Sequence, residues 1–485
     1  MTIRPLIVRT LVATLAGLML TVAPGAMAAK AKAEAGFAVR MVKLAGKPGD
    51  PATVEHVRFC RKLGFNALWV YSHEAGTWTK DESPHGPTLD PSFLRLAQWC
   101  RRHRMDLWVS INPPADTSDR FVFSDPDDER RLLAFVSLLR EQAGVRTIVL
   151  SFDDQPTELR ELSDVFRYGV STAPAHLDFL RRVAAALPPD IALWMCASAY
   201  CDAHLGDGQG RYSKPFLAGL PSLPSRIGIV WTGPKVLSPA ITTEDLEATR
   251  ARLGGRPLLL YDNLPVNEFD VHNAIGLVLS ALRGRDPGIA RVVAAYLACP
   301  FPPLAGARLT LLTTAEYLRD PEGYDADAAT KRAIATLAGR NRAAQTALDT
   351  QQLEWGGTID GRNYWPRDLL TAEIAARRLH DPAFVESFTW TVARYPGRIA
   401  AMTPLADAPF RDELQRMMRR RLAVGQAVPL TIEYLARVRA GRIDAEESLA
   451  RIAALRQSWS GDRDATRILD NFFGVTGLPV GGHTR

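Results

Sequence analysis

The feature that most constrains this chain is a repeat of pattern rather than of residues. From residue 37 to residue 319, short apolar or β-branched runs alternate with segments whose apolar residues recur at helical spacing. Strands are read at 37–42, 66–71, 106–111, 147–152, 191–196, 227–231, 257–262 and 290–297. Helices are read at 52–63, 91–102, 127–142, 173–187, 243–253, 271–284 and 307–319, with a shorter one in the loop that reaches about residue 221. Ser124-Asp125-Pro126 supplies a cap and a first turn for the third of them. Eight strand–helix units in succession predict a TIM-like (β/α)8 barrel of the α/β class. An open doubly wound sheet would call for a Gly-rich turn after the first strand, and there is none. Gly206, Gly208 and Gly210 fall in a later loop, where they read as a flexible turn.

A barrel of this kind keeps its chemistry at the C-terminal strand ends. Taken in order, those ends carry Gly36-Phe37 near the first strand, His73-Glu74, Asn112, Asp153-Asp154, Tyr200, Trp231-Thr232, Tyr261-Asp262-Asn263 and Cys299-Pro300. The fourth is the most pointed, because the apolar run from Thr147 to Phe152 stops abruptly in two adjacent carboxylates. Adjacent acids after a strand more often cap a helix or line a solvated loop, so the pair alone does not decide for chemistry. Aromatic faces, carboxylates and amides converging on one cleft are what a sugar ring needs: its C–H face packs on rings and its hydroxyls want polar partners.

From residue 325 the strand pattern gives way to Ala-, Leu- and Arg-rich helical segments at 328–347, 369–379, 382–393, 411–423, 430–437 and 445–459, with 361–366 as a loop. The expected division is a signal peptide at 1–28, a leader at 29–35, the barrel at 36–324 and an all-α C-terminal domain at 325–485. The signal rests on Arg4 and Arg9, an apolar run from Leu11 to Leu20 too short to span a bilayer, and Ala26-Met27-Ala28. An exported protein, periplasmic or secreted and without stable membrane insertion after cleavage, is expected. Losing the signal removes two arginines and no acid, so the net charge drops from +6 to +4, too mild and too dispersed for nucleic acid. Cys60, Cys100, Cys196, Cys201 and Cys299 show no zinc-ligand spacing; export permits a Cys60–Cys100 bridge if the two helix ends meet. His103, His176 and His272 read as helix-surface residues, and no metal, nucleotide or redox cofactor is expected.

Several motifs in order resemble glycoside hydrolase family 84, the β-N-acetylglucosaminidases that include hyaluronidase-like enzymes and enzymes removing O-linked GlcNAc. They are Ser151-Phe152-Asp153-Asp154, Trp231-Thr232-Gly233-Pro234-Lys235-Val236 and Tyr261-Asp262-Asn263-Leu264-Pro265-Val266-Asn267-Glu268. Leu311 to Leu318 and Pro321 to Asp325 resemble the segment where the family's barrel passes into its helical domain. The resemblance implies cleavage of N-acetylglucosamine-containing glycans or glycoconjugates with retention, the substrate's own 2-acetamido oxygen attacking the anomeric carbon to form an oxazoline. It implies that Asp153 orients and polarises the acetamido N–H, and that Asp154 protonates the leaving oxygen and then activates water. The same resemblance implies that Tyr200 supports the acetamido group, that Thr232, Val236 and Tyr261 line its pocket, and that Asn263 stands near the sugar and leaving group.

The departures fall on the hydroxyl contacts. The family's Glu-Gly-Phe-Tyr-Gly is matched only by Gly36 and Phe37; His73 stands in place of a sugar-binding lysine; Glu268 is one methylene longer than the usual acid; Cys299 replaces an Asn before Pro. These changes motivate an alternative, a carbohydrate-binding protein with weakened turnover on the same barrel. A further alternative makes Asp153 a covalent nucleophile, with Glu74 or Glu268 as the second carboxylate. The sequence leaves the oligomeric state open.

Overall fold

The computed structural model describes residues 36–114, 121–205, 210–265, 279–302, 304–355, 357–359, 364–366, 372–442 and 445–478. Eight parallel strands close into a barrel: β1 (Val39–Lys43), β2 (Ala67–Tyr71), β3 (Asp106–Ile111), β4 (Thr147–Ser151), β5 (Ala192–Cys196), β6 (Gly228–Trp231), β7 (Leu258–Asp262) and β8 (Ala295–Ala298). Each pairs with its sequence neighbours, and β1 closes the ring on β8 with Val39 opposite Ala295 and Met41 opposite Leu297. The main outer helices are α1 (Pro51–Leu63), α2 (Pro91–Arg102), α3 (Pro126–Leu138), α4 (Thr172–Ala186), α5 (Gly210–Gly219), α6 (Thr243–Arg252) and α7 (Arg308–Arg319).

An Asp-Pro pair opens α1, α2 and α3. Proline has no N–H to leave unsatisfied at the first helical position, and the side chains of Asp90 and Asp125 accept amides of the first turn. Alternation along the strands sends one set of side chains outward to the helices and the other into the barrel. Met41, Trp69, Trp108, Val149, Trp194, Val230, Leu259 and Leu297 fill the interior. Trp194 fits because its neighbour is Gly228: a Cβ there would lie 2.1 Å from the indole.

Two expected elements of the barrel differ. The helix at 271–284 is not formed in its described part, 279–284, while 271–278 lie outside the described residues. The backbone there finds partners on α7 instead of in a helix of its own: Leu282 N donates to Thr313 Oγ1 (3.1 Å) and Thr310 Oγ1 donates to the Ser280 carbonyl (2.5 Å). The eighth strand starts at Ala295, because Ile289–Val292 is a helical turn. Next to it, the Arg285 guanidinium forks onto Asp262 at 2.8 and 2.7 Å, Tyr296 Oη donates to the same carboxylate, and Arg285 Nη1 donates to the Ser238, Pro239 and Arg283 carbonyls. A buried pair satisfied this fully is structural; losing one partner costs about 3–5 kcal/mol.

The C-terminal region is helical, with an apolar core of its own. The segments expected at 411–423 and 430–437 are one helix, α8 (Ala408–Arg439), which runs through Pro429 with Val428 and Thr431 buried beside it. Arg463–Thr476 is a further amphipathic helix, and Gly357–Ile359 pairs with Tyr364–Pro366 as a small hairpin where only a loop was expected. Arg308 of α7 joins the two regions by pairing with Glu55 of α1 and with Asp407 ahead of α8. The five cysteines are buried and no disulfide joins any two of them, so Cys60 and Cys100 do not bridge. His103 stacks on Trp99, whereas His176 is fully buried rather than on a surface, and His272 lies outside the described residues.

Candidate active site

Strand parity explains how the two acids come to differ. Val149 faces the barrel interior and Ser151 lines the cleft above it, so Asp153, two residues on, continues inward. Asp154 has the opposite parity and would point away, but its backbone is left-handed, with φ +56°. Aspartate tolerates that region better than most residues, and the turn brings its carboxylate back to the rim of the cleft. There Tyr200 Oη donates to Asp154 Oδ1 at 2.8 Å. The residue before the pair is held firmly: Phe152 N donates to the Cys196 carbonyl (2.8 Å), Ser198 Oγ donates to the Phe152 carbonyl (2.7 Å), and its ring stacks on His176 at 4.0 Å. Burial pushes His176 down to about 3, so this imidazole is a neutral packing surface.

Asp153 sits in a fixed polar shell. Asn112 Nδ2 donates to Asp153 Oδ1 (3.3 Å), while Asn112 Oδ1 accepts from Ser110 Oγ (3.2 Å), and Ser110 shares a 2.7 Å hydrogen bond with Ser151. The serines thus set which way the amide points. Burial, reinforced by the negative charge of Asp154, raises Asp153 to about 6, with Lys43 and Asn112 pulling the other way.

The rest of the wall comes from β1, β2, β6, β7 and β8. Tyr71 and Tyr261 share a hydroxyl contact of 3.3 Å, Tyr261 Oη lies 3.3 Å from Cys299 Sγ, and Trp69 meets the Tyr261 ring edge-on at 5.5 Å. Burial lifts both phenols well above their ordinary range. Thr232 Oγ1 donates to the Lys235 carbonyl (3.0 Å), and Asn263 Nδ2 donates to the Val236 carbonyl (2.9 Å). These bonds fold the 232–236 loop over the β6 end.

Eight of the residues singled out from sequence therefore line one cavity: Asp153, Asp154, Tyr200, Thr232, Val236, Tyr261, Asn263 and Cys299. Gly36 does not. It precedes β1 at the opposite, N-terminal end of the barrel, where a Cβ would lie 2.6 Å from the Arg319 carbonyl at the end of α7. Gly36→Ala should accordingly lower stability by about 1–3 kcal/mol through overpacking, with turnover per folded molecule unchanged; a selective loss of turnover would return Gly36 to the cleft. His73 lies outside the lining, exposed and stacked on Tyr71 at 5.6 Å. Glu268 falls outside the described residues. Glu74 accepts the amides of Tyr71 (2.8 Å) and Gly46 (3.2 Å), so it braces two loops rather than facing Asp153 as a second acid. Lys43 and Tyr71 line the cleft but were not among the expected site residues. Parity along β1 carries the missed signal: Val39 and Met41 face inward, and Lys43 is next in that series.

A family model described as beta-N-acetylglucosaminidase matches residues 84–351, which contain the acid pair and most of the cleft. The chain belongs to the β-N-acetylglucosaminidase family. It is a divergent member. Rat and mouse proteins named Protein O-GlcNAcase are each 26% identical over 197 residues, 40% of this chain and 20% of theirs, so the chain spans about a fifth of the length of these relatives. A mutant Thermobaculum terrenum O-GlcNAc hydrolase has the same fold at 20% identity, with a TM-score of 0.59 over 91% of this chain and 94% of that one.

Proposed function

We propose that the protein is an exported hydrolase of β-linked N-acetylglucosaminides that works with retention through the substrate's 2-acetamido group. One observation carries this reading: the two cleft carboxylates are consecutive residues in unlike environments, Asp153 held inside by Asn112 and Asp154 turned to the rim against Tyr200. A covalent carboxylate mechanism wants acids on opposite sides of the scissile bond, about 5 Å apart. Adjacent acids on one strand end suit a different division of labour. The acetamido carbonyl oxygen attacks the anomeric carbon as its bond to the leaving oxygen breaks, and Asp154 gives that oxygen its proton. Asp153, as carboxylate, accepts the amide N–H and stabilises the positive charge that builds on the forming oxazoline. Water then adds to the anomeric carbon, Asp154 takes its proton, and the ring opens to N-acetylglucosamine.

The test is substitution on the substrate. Replacing acetyl hydrogens by fluorine weakens the carbonyl nucleophile, so kcat/KM on aryl glycosides should fall steeply along the mono-, di- and trifluoroacetyl series. A flat series would exclude participation. Tyr200→Phe removes a hydrogen bond to a carboxylate, an interaction in the range of about 1.5–3 kcal/mol, so kcat/KM should fall by about 10- to 100-fold; unaltered kinetics would make that contact incidental. Export is supported by the basic, apolar and Ala-Met-Ala succession at residues 1–28. N-terminal sequencing of protein recovered outside the cytoplasm should begin just after Ala28, and recovery of the uncut chain in the cytoplasm would refute it.

A further inference from the structure

We propose that Lys43 is a specificity residue that recognises an anionic substituent on the C-6 side of the bound sugar, so that a 6-O-sulfated or 6-phosphorylated N-acetylhexosamine is preferred over the neutral one. The residue is 7% exposed, and it lines the same cleft as Asp153. Its ammonium lies 4.2 Å from the Phe301 ring centroid and 5.1 Å from that of Tyr71. Among the described residues it is in ion-pair contact with no carboxylate, although Asp153 and Asp154 open onto the same space. Ring faces stabilise a cation only partly. An ammonium withdrawn from water costs several kcal/mol unless an acceptor meets it, and an anionic ligand oxygen offsets that cost most.

Position selects the side of the sugar. In the closed eight-strand ring β1 stands opposite β5, with β8 and β2 as its neighbours. Tyr200 follows β5 and Thr232 follows β6, the side to which the acetamido group is assigned; this step rests on the function proposed above. In a pyranose, C-5 lies across the ring from C-2. A sugar with its 2-acetamido group toward β5 and β6 therefore turns C-5 and its C-6 arm toward β1. A 3-O-lactyl carboxylate sits beside C-2 and points elsewhere.

Calorimetry separates these possibilities, using N-acetylglucosamine, its 6-sulfate and N-acetylmuramic acid against the wild type, Lys43→Met and Lys43→Arg, each checked for fold by circular dichroism. The wild type should bind the 6-sulfate about tenfold tighter than the neutral sugar, with a preference that shrinks as salt is raised. Lys43→Met should abolish the preference and Lys43→Arg should keep it. Equal binding of the two sugars by the wild type overturns the proposal, as does preference for the lactyl sugar or persistence of the sulfate preference in a folded Lys43→Met. If the 6-sulfate binds as expected but aryl N-acetylglucosaminides are not turned over, the hydrolytic reading fails while Lys43 keeps its role.

Discussion

Replacing Asp154 by asparagine is expected to lower kcat/KM on a β-N-acetylglucosaminide with a poor leaving group by about 10²–10⁴-fold, the range for loss of a general acid–base group. The fold should survive, because asparagine accepts the left-handed backbone as readily as aspartate and its amide oxygen still receives the Tyr200 hydroxyl. The loss should depend on the leaving group. A dinitrophenolate departs without protonation, so its first step should be much less affected, and added azide, which needs no general base, should restore breakdown of the intermediate as a glycosyl azide. Turnover of a poor substrate at the wild-type rate would refute the role given to Asp154. A uniform loss across leaving groups without azide rescue would point to damage in binding rather than in proton transfer.

Much of the barrel was legible because a (β/α)8 fold writes its periodicity into the chain: buried parallel strands are short apolar runs, and Asp-Pro pairs mark helix starts. What escaped depended on distant partners. The apolar spacing of 279–284 reads as helix, yet threonines on α7 and the Asp262–Arg285 pair hold that segment out of a helix, and no local pattern announces them. The site divides in the same way. Asp153 and Asp154 stand out as acids ending an apolar strand, and the β5, β6 and β7 residues followed from ordered motifs. The Gly-Phe match does not carry Gly36 to the cleft, because Gly36 precedes β1 and the C-terminal end of that strand is Lys43. Strand parity would have found Lys43, since Met41 already faces inward. The left-handed turn at Asp154 has no signature in sequence, because aspartate, unlike glycine, does not advertise positive φ.

Asp153→Asn should act in opposite directions on stability and activity. Burial and the neighbouring Asp154 raise Asp153 from an ordinary 3.8 to about 6, so ionising it is harder in the folded protein than in the unfolded chain. The protonated carboxyl therefore favours folding fully below about pH 4, and that contribution is lost as pH rises through about 6. Asparagine keeps the shape without the charge, and its variant should gain about 2–3 kcal/mol over wild type at neutral pH. The gain should vanish below pH 4, a crossover that denaturant melts at several pH values would show. Activity should fall by about 10²–10³-fold, since a neutral amide stabilises the positive charge of a forming oxazoline far less than a carboxylate does. The wild type should lose kcat/KM on the acid side with an apparent pKa near 6, and Lys43→Met should move that limb upward, because Lys43 is one of the groups that hold Asp153 ionised. Equal stability of wild type and Asp153→Asn at neutral pH, with an acid limb near 4, would mean that Asp153 titrates as an ordinary surface carboxylate. The difference between the two acids would then rest on geometry alone, on Asn112 at Asp153 and Tyr200 at Asp154.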